Sequence, residues 1–380
     1  MRVLHIVAGL DTGGVATLLY QYFIHLTDTN IKFDFVVHKN PLLNGRKGYF
    51  EYKFEELGCN IYTVVPKKNN IFKNLSQVNK IIKNGNYDIV HVHNEEVSFL
   101  YILLALLNKI KVRVVHAHYA YKKENIIKKN LNVFFKRILK STSNVLLACS
   151  KDAGISLYGK NCINNKNFYI LHNAIDLDKF TFSKDIRAKK RKELGLNDDD
   201  FAIIDVGRFT YQKNPFFAID IFNEILKKNI NSKLIMVGIG ELLDEAINMS
   251  KQKGIQDKIL FLGARDDVNE LLQAADTFLL PTRFEGLGIV YIEAQAASLE
   301  TIAPLENVPK EIKCTEQLHF ISYKDDASLW ATKILQIYIN SNHIRKSSNE
   351  ILKKCGYDIN TEAKKLYDIY SSYLRNNTIS

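Results

Sequence analysis

Twelve short runs of apolar, largely β-branched residues punctuate this chain, and longer segments of helical period lie between them. Six fall in the first half, at 2–8, 33–38, 60–65, 89–93, 112–116 and 145–148. Six more follow at 202–206, 233–237, 259–262, 277–280, 301–303 and 319–321. Short strands alternating with helices are βαβ units, which build parallel sheets covered by helices on both faces. A chain of 380 residues exceeds what one core serves. The pattern therefore predicts an α/β protein of two doubly wound, Rossmann-like domains. The boundary is expected between 175 and 201, where the highly charged run 184–193 and the triplet Asp198, Asp199, Asp200 precede the next strand.

Composition narrows the class. A hydrophobic fraction of 46% with only 6 prolines suits sizeable cores and argues against disorder. The 5 cysteines are scattered and odd in number, which argues against a disulfide framework or zinc knuckle and for a reducing, cytoplasmic compartment. The apolar start is broken at Asp11, too soon for a signal peptide, and the apolar run 97–107 is shorter than the roughly 20 residues that span a bilayer. A soluble or peripheral protein is expected. The net charge of +11 admits nucleic acid, an anionic membrane or an anionic substrate. No basic–aromatic recognition motif accompanies it, which sets nucleic acid aside.

Several strand ends carry chemistry. After the run 202–206, Gly207 permits a turn, and Arg208 and Lys213 follow before a helix opens near Pro215. Two cations at the carboxyl end of a strand suit a diphosphate, although alone they read equally as a solvated loop. After 277–280, Glu285, Gly286, Leu287 and Gly288 lead into an apolar helix bearing Glu293. The glycines let backbone N–H groups approach an anion at a helix N-terminus, and carboxylates accept hydrogen bonds from sugar hydroxyls. Near the N-terminus, Gly9, Gly13 and Gly14 make a tight turn that does not fit a dinucleotide fingerprint.

Two His-x-His pairs end strands, His91 with His93 and His116 with His118. No spacing of a known metal motif accompanies them, so no metal ligands and no cofactor are expected. The second pair is read as an active-site edge and the first as structural. The Asp-x-Asp at Asp176 and Asp178 and the triplet at 198–200 are read as turn and capping residues rather than a Mg²⁺ site. The segment 122–140 holds seven basic residues (Lys122, Lys123, Lys128, Lys129, Lys136, Arg137, Lys140) against the single acidic Glu124. Its apolar positions recur at helical spacing, so it reads either as a domain helix packed on the sheet with its lysines in water or as a segment that docks on an anionic membrane surface.

Together these segments resemble the retaining glycosyltransferases of family 4, of GT-B fold, and in particular the bacterial branch that assembles exopolysaccharide and capsule. The resemblance rests on Gly13-Gly14, His116-Ala117-His118, Ala148-Cys149-Ser150-Lys151, the segment 171–180, Gly207-Arg208 with Lys213, Val237-Gly238-Ile239-Gly240, the Glu285/Glu293 spacing and the segment 306–311. It implies two domains facing a cleft, 1–175 for the acceptor and 176–356 for the nucleotide sugar, with a terminal helix in 357–380 crossing back to the first. It further implies transfer from a UDP-hexose-type donor to a lipid-linked glycan, without metal, at the inner face of the membrane. Arg208 and Lys213 would neutralise the leaving diphosphate, assisted by amides near Gly13, Gly14, Gly207, Gly238 and Gly286 to Gly288. Glu293 would hold the ribose, Glu285 the donor sugar, and His116 or His118 the sugar or acceptor. The chain departs from the family at His172 and Ala174, and at 298–301. A nucleotide-sugar epimerase of the same fold is the alternative, distinguished by product formation without an acceptor.

Overall fold

The computed structural model describes residues 1–11, 14–27, 29–38, 46–93, 98–118, 136–228, 231–341 and 345–376. They form two compact units, Met1–Ala174 with Ile359–Ser380, and Ile175–Asp358.

Unit 1 is built on seven strands, β1 (Arg2–Ile6), β2 (Lys32–His38), β3 (Ile61–Val64), β4 (Ile89–Val92), β5 (Val112–Ala117), β6 (Val145–Ala148) and β7 (Phe168–Ile170). All pair in parallel, in the order β3-β2-β1-β4-β5-β6-β7. Alternation along each strand sorts its side chains between two cores. Val3, Phe33, Phe35, Ile89 and Val114 join one that includes Leu18 and Tyr22 of the helix Gly14–Ile24. Leu4, Ile6, Val90, Val92 and Val115 join the other, with Val78 of Ile71–Asn84 and Tyr101 of Ser98–Leu107. The terminal helix Ile359–Asn376 belongs to the first core, burying Ile359, Ala363, Leu366 and Tyr370 at helical spacing. Its Glu362 accepts a hydrogen bond from the His172 backbone N–H at 2.9 Å.

Unit 2 holds β8 (Phe201–Val206), β9 (Ser232–Val237), β10 (Ile259–Phe261), β11 (Thr277–Leu279), β12 (Glu300–Pro304) and β13 (Leu318–Ile321). They pair in parallel as β10-β9-β8-β11-β12-β13. Strand order reverses between β1 and β4 in unit 1 and between β8 and β11 in unit 2. In open parallel sheets, ligands sit beyond the carboxyl ends of the strands at such a reversal.

The structure departs from the sequence reading in places. β7, three half-buried residues at a sheet edge, is a strand that the twelve runs leave out, although Phe168-Tyr169-Ile170-Leu171 is apolar. The charged run 184–193, expected in the linker zone, is the helix Lys184–Glu193 of unit 2. Its Lys190 is buried with Nζ at 2.9 Å from Glu193 and 3.1 Å from Glu270, and is paired with Asp267 as well. Buried cations are tolerated when paired, so a charged pattern does not by itself mark solvent. Of the basic segment 122–140, residues 136–140 are described and helical. Lys136 donates to the Ser156 carbonyl at 2.7 Å and Leu139 is buried. Lys122, Lys123, Glu124, Lys128 and Lys129 lie outside the described residues. No helix among the described residues is long and apolar enough to cross a membrane.

Candidate active site

Both strands flanking the reversal in unit 2 run into the loops that carry charge. β8 passes into Gly207, and the turn before the helix Pro215–Leu226 bears Arg208 and Lys213. β11 passes into Glu285, Gly286, Leu287 and Gly288, which open the helix Ile289–Ala296. The turns are set by close backbone packing. Gly207 N–H donates to the Val237 carbonyl at 3.0 Å and Gly238 N–H to the Gly263 carbonyl at 2.8 Å. Gly238 has φ +140°, and a Cβ there would stand 2.0 Å from the Gly207 oxygen. Only glycine fits such a contact at such a φ. Asn214, left-handed at φ 56°, caps Pro215–Leu226, donates to the Tyr323 hydroxyl at 3.0 Å and accepts from Arg283 at 3.1 Å. Arg283 N–H donates to the Gln212 carbonyl at 2.8 Å, which ties the two loops into one block.

The charged groups on this block are unequal. Arg208 is exposed and has no side-chain hydrogen bond to a described residue. Lys213 Nζ donates to Glu285 Oε1 at 2.5 Å, and Thr282 Oγ1 lies 3.0 Å from the same oxygen. The cation expected to meet phosphate and the carboxylate expected to meet sugar are thus each other's partner. Glu293, half-buried on Ile289–Ala296, is paired with no described residue, and burial pushes its carboxyl up to about 7. Asp205, at 6% exposure near the end of β8, has Oδ2 without a hydrogen-bond partner among the described residues. Burial pushes it up to about 7 against the pull of nearby Lys213. Gly288 caps Ile289–Ala296 in the left-handed region at φ +79°, leaving bare backbone at the helix N-terminus with Gly286 before it. That end favours negative charge. The sequence reading missed Asp205, Thr282 and Asn214; a lone carboxylate inside the apolar run 202–206 is the signal that marks the first.

In unit 1, Gly14 opens the helix Gly14–Ile24, and a Cβ there would meet nothing within 4 Å. Gly13 lies outside the described residues. His118 follows β5 at 4% exposure, and His116 lies within it at 1%. His116 is therefore in the core rather than at an edge. The expected division into an active-site pair and a structural pair is not what the fold makes. His5, His91, His93, His116 and His118 form one buried cluster, with ring centroids 4.0 Å apart for His91–His93 and 4.1 Å for His116–His118. Burial lowers their basicity, with His5 and His118 at about 3, so these rings are neutral near pH 7.

Two parallel doubly wound units, one with cations and bare amides at its switch point, suit an anionic ligand beyond the strand ends. Residues 12–179 match the model of Glycosyltransferase Family 4, and residues 186–354 that of Glycosyl transferases group 1. The chain is a glycosyltransferase of two Rossmann-like domains. CapH of Staphylococcus aureus, a capsular polysaccharide biosynthesis glycosyltransferase, is 26% identical over 381 residues, 98% of this chain and 99% of its own. The Escherichia coli UDP-Gal:alpha-D-GlcNAc-diphosphoundecaprenol alpha-1,3-galactosyltransferase is 26% identical over 314 residues, 78% of this chain and 79% of its own. Among solved structures, Anabaena HepE in complex with UDP shares the fold at TM-score 0.78 and 17% identity, covering 98% of this chain and 100% of that one. With its first half matched by Glycosyltransferase Family 4 and its second by Glycosyl transferases group 1, the chain is a two-domain glycosyltransferase of GT-B fold.

Proposed function

We propose that this glycosyltransferase moves a hexose from a UDP-sugar, with retention, to a lipid-linked glycan during assembly of a surface polysaccharide. The observation that carries the reading is the block at the β8/β11 reversal, where Arg208, Lys213 and the amides of Gly286 to Gly288 share one pair of hydrogen-bonded loops and Glu293 lies on the helix that the second loop opens. The UDP complex of HepE and the donor and acceptor in the Escherichia coli relative's name supply the substrate classes. Departure of the diphosphate develops negative charge, which Arg208 and Lys213 neutralise in place of a metal. Gly207 and Gly238 keep side chains off the approach. Glu293 accepts hydrogen bonds from the ribose. Donor binding exchanges the Lys213–Glu285 pair for a Lys213–phosphate pair. Glu285 is thereby released to accept the sugar hydroxyls and to stabilise positive character at the anomeric carbon. On the acceptor side His118 makes the contact, with His116 behind it.

Replacing either cation tests this. Arg208→Ala and Lys213→Ala are each expected to lower kcat by about 100- to 1000-fold with the fold intact, the cost of about 2.7–4 kcal/mol for one lost donor to a developing charge. Turnover within a few-fold of wild type in both would contradict the assignment.

Docking at the membrane through 122–140 is part of the same proposal, supported by its seven basic residues against one acidic. Each lysine near an anionic surface contributes about 1 kcal/mol. Co-sedimentation with phosphatidylglycerol vesicles is expected, and its survival after glutamate replacement of Lys122, Lys123, Lys128 and Lys129 would contradict it.

A further inference from the structure

The transfer reading leaves most of the buried histidines of unit 1 unused. His5, His91 and His93 are 0%, 1% and 8% exposed. His5 Nδ1 and His93 Nε2 face each other at 3.0 Å. His91 Nδ1 lies 2.5 Å from the Tyr370 hydroxyl, and His93 Nδ1 lies 2.9 Å from His118 Nε2. On the ligand side, His91 Nε2 has no hydrogen-bond partner among the described residues. Each such buried atom costs about 1–3 kcal/mol. Native interiors hold few of them, and an ion or water is a common resolution.

The fold brings these rings together by register. β1 and β4 are neighbours with His5 opposite His91, and His93 follows on the same face. Ligand nitrogens of the three lie within 4.8 Å of one another. Three nitrogens about 2.0–2.1 Å from one tetrahedral ion stand about 3.3 Å apart, so the His5–His93 approach of 3.0 Å needs a shift of only tenths of an ångström. The backing groups are also in place. A ligating imidazole usually donates its other N–H to an acceptor that fixes the tautomer. When His91 Nδ1–H donates to Tyr370 and His93 Nδ1–H to His118, both Nε2 atoms are left as lone pairs. Phe33 and Phe35 lie against His5 at centroid distances of 4.3 and 5.4 Å, giving it a dry wall.

We propose that His5, His91 and His93 form a structural site for a divalent transition ion of the zinc type, joining β1 to β4 and, through Tyr370, to the helix Ile359–Asn376. Neutral imidazoles suit zinc and its neighbours rather than magnesium or calcium. Spacing alone could not show the site, because His5 is 88 residues from His93. No step of sugar transfer runs through the ion.

The test uses untagged full-length protein, stripped by chelator dialysis and titrated with Co²⁺ while its visible absorption is followed. One equivalent is expected to bind, to be displaced by Zn²⁺, and to raise the Tm of the stripped protein. His5→Phe is expected to weaken binding at least tenfold, Tyr370→Phe by about 10- to 100-fold, and His116→Asn to leave it unchanged. Failure to take up an equivalent, or equal uptake by His5→Phe, would overturn the proposal. Loss in His116→Asn with retention in His5→Phe would also overturn it, because the ion would then belong to His93, His116 and His118. If His5→Phe does not fold, the wild-type titration decides, and no absorption band with no Tm shift counts against the site.

Discussion

Glu293 is the residue whose environment most limits what it can be for. A half-buried carboxylate with no partner among the described residues is a poor contributor to stability and a good one to ligand binding. Its ordinary value of 4.5 is raised to about 7 by burial. Between those values the folded protein holds more protons than the unfolded chain, so stability falls as pH rises through the window. A shift of that size corresponds to about 3 kcal/mol, a ceiling that partial exposure lowers. Glu293→Gln should therefore melt higher than wild type above pH 7, with the gain vanishing toward pH 4.5. The same variant should bind UDP about 10- to 100-fold more weakly, since a hydrogen bond to a charged acceptor contributes roughly 1.5–3 kcal/mol. Denaturation at several pH values beside UDP titration calorimetry checks both. Unchanged affinity would remove Glu293 from the ribose.

At the scale of elements, the loops after β8 and β9 are held by glycine. Gly238→Ala combines a φ of +140° with a Cβ placed 2.0 Å from the Gly207 oxygen. Strain and overpacking of this kind add to about 3 kcal/mol or more, and unit 2 is expected to lose its cooperative melting transition near the wild-type Tm. A Tm within a few degrees of wild type would contradict that packing. The same loops show why much of the fold was legible. Strands covered on both faces are unbroken apolar runs, and in a parallel sheet each ends where its loop must bind or turn. β7 is the exception, because its apolar run Phe168-Tyr169-Ile170-Leu171 is short and follows the mostly polar stretch 159–167. The helix Lys184–Glu193 reads as a solvated linker because the carboxylates that neutralise Lys190, such as Asp267, are distant in the chain. Lys213 and Glu285 illustrate the same limit. Each was visible as a charged residue at a strand end, but their pairing across 72 residues follows from the β8/β11 adjacency. His5 was invisible for that reason as well, a lone polar residue among the buried positions of its strand until its register with His91 is known.

In the proposed reaction of the whole molecule, charge balance at the donor comes from the protein's own side chains. An epimerase of the same fold would convert a nucleotide sugar with nothing added. The deciding measurement incubates purified protein with a panel of UDP-hexoses, with and without an undecaprenyl-diphosphate-linked sugar, and with EDTA added at the start. Released UDP and the lipid product are then quantified. One donor is expected to yield UDP and an extended, α-linked lipid product in equal amounts, both only with the acceptor, and EDTA to leave the rate within about twofold, as metal-independent transfer requires. Isomerised nucleotide sugar without acceptor, or transfer that EDTA abolishes at once and Mg²⁺ or Mn²⁺ restores, would contradict it.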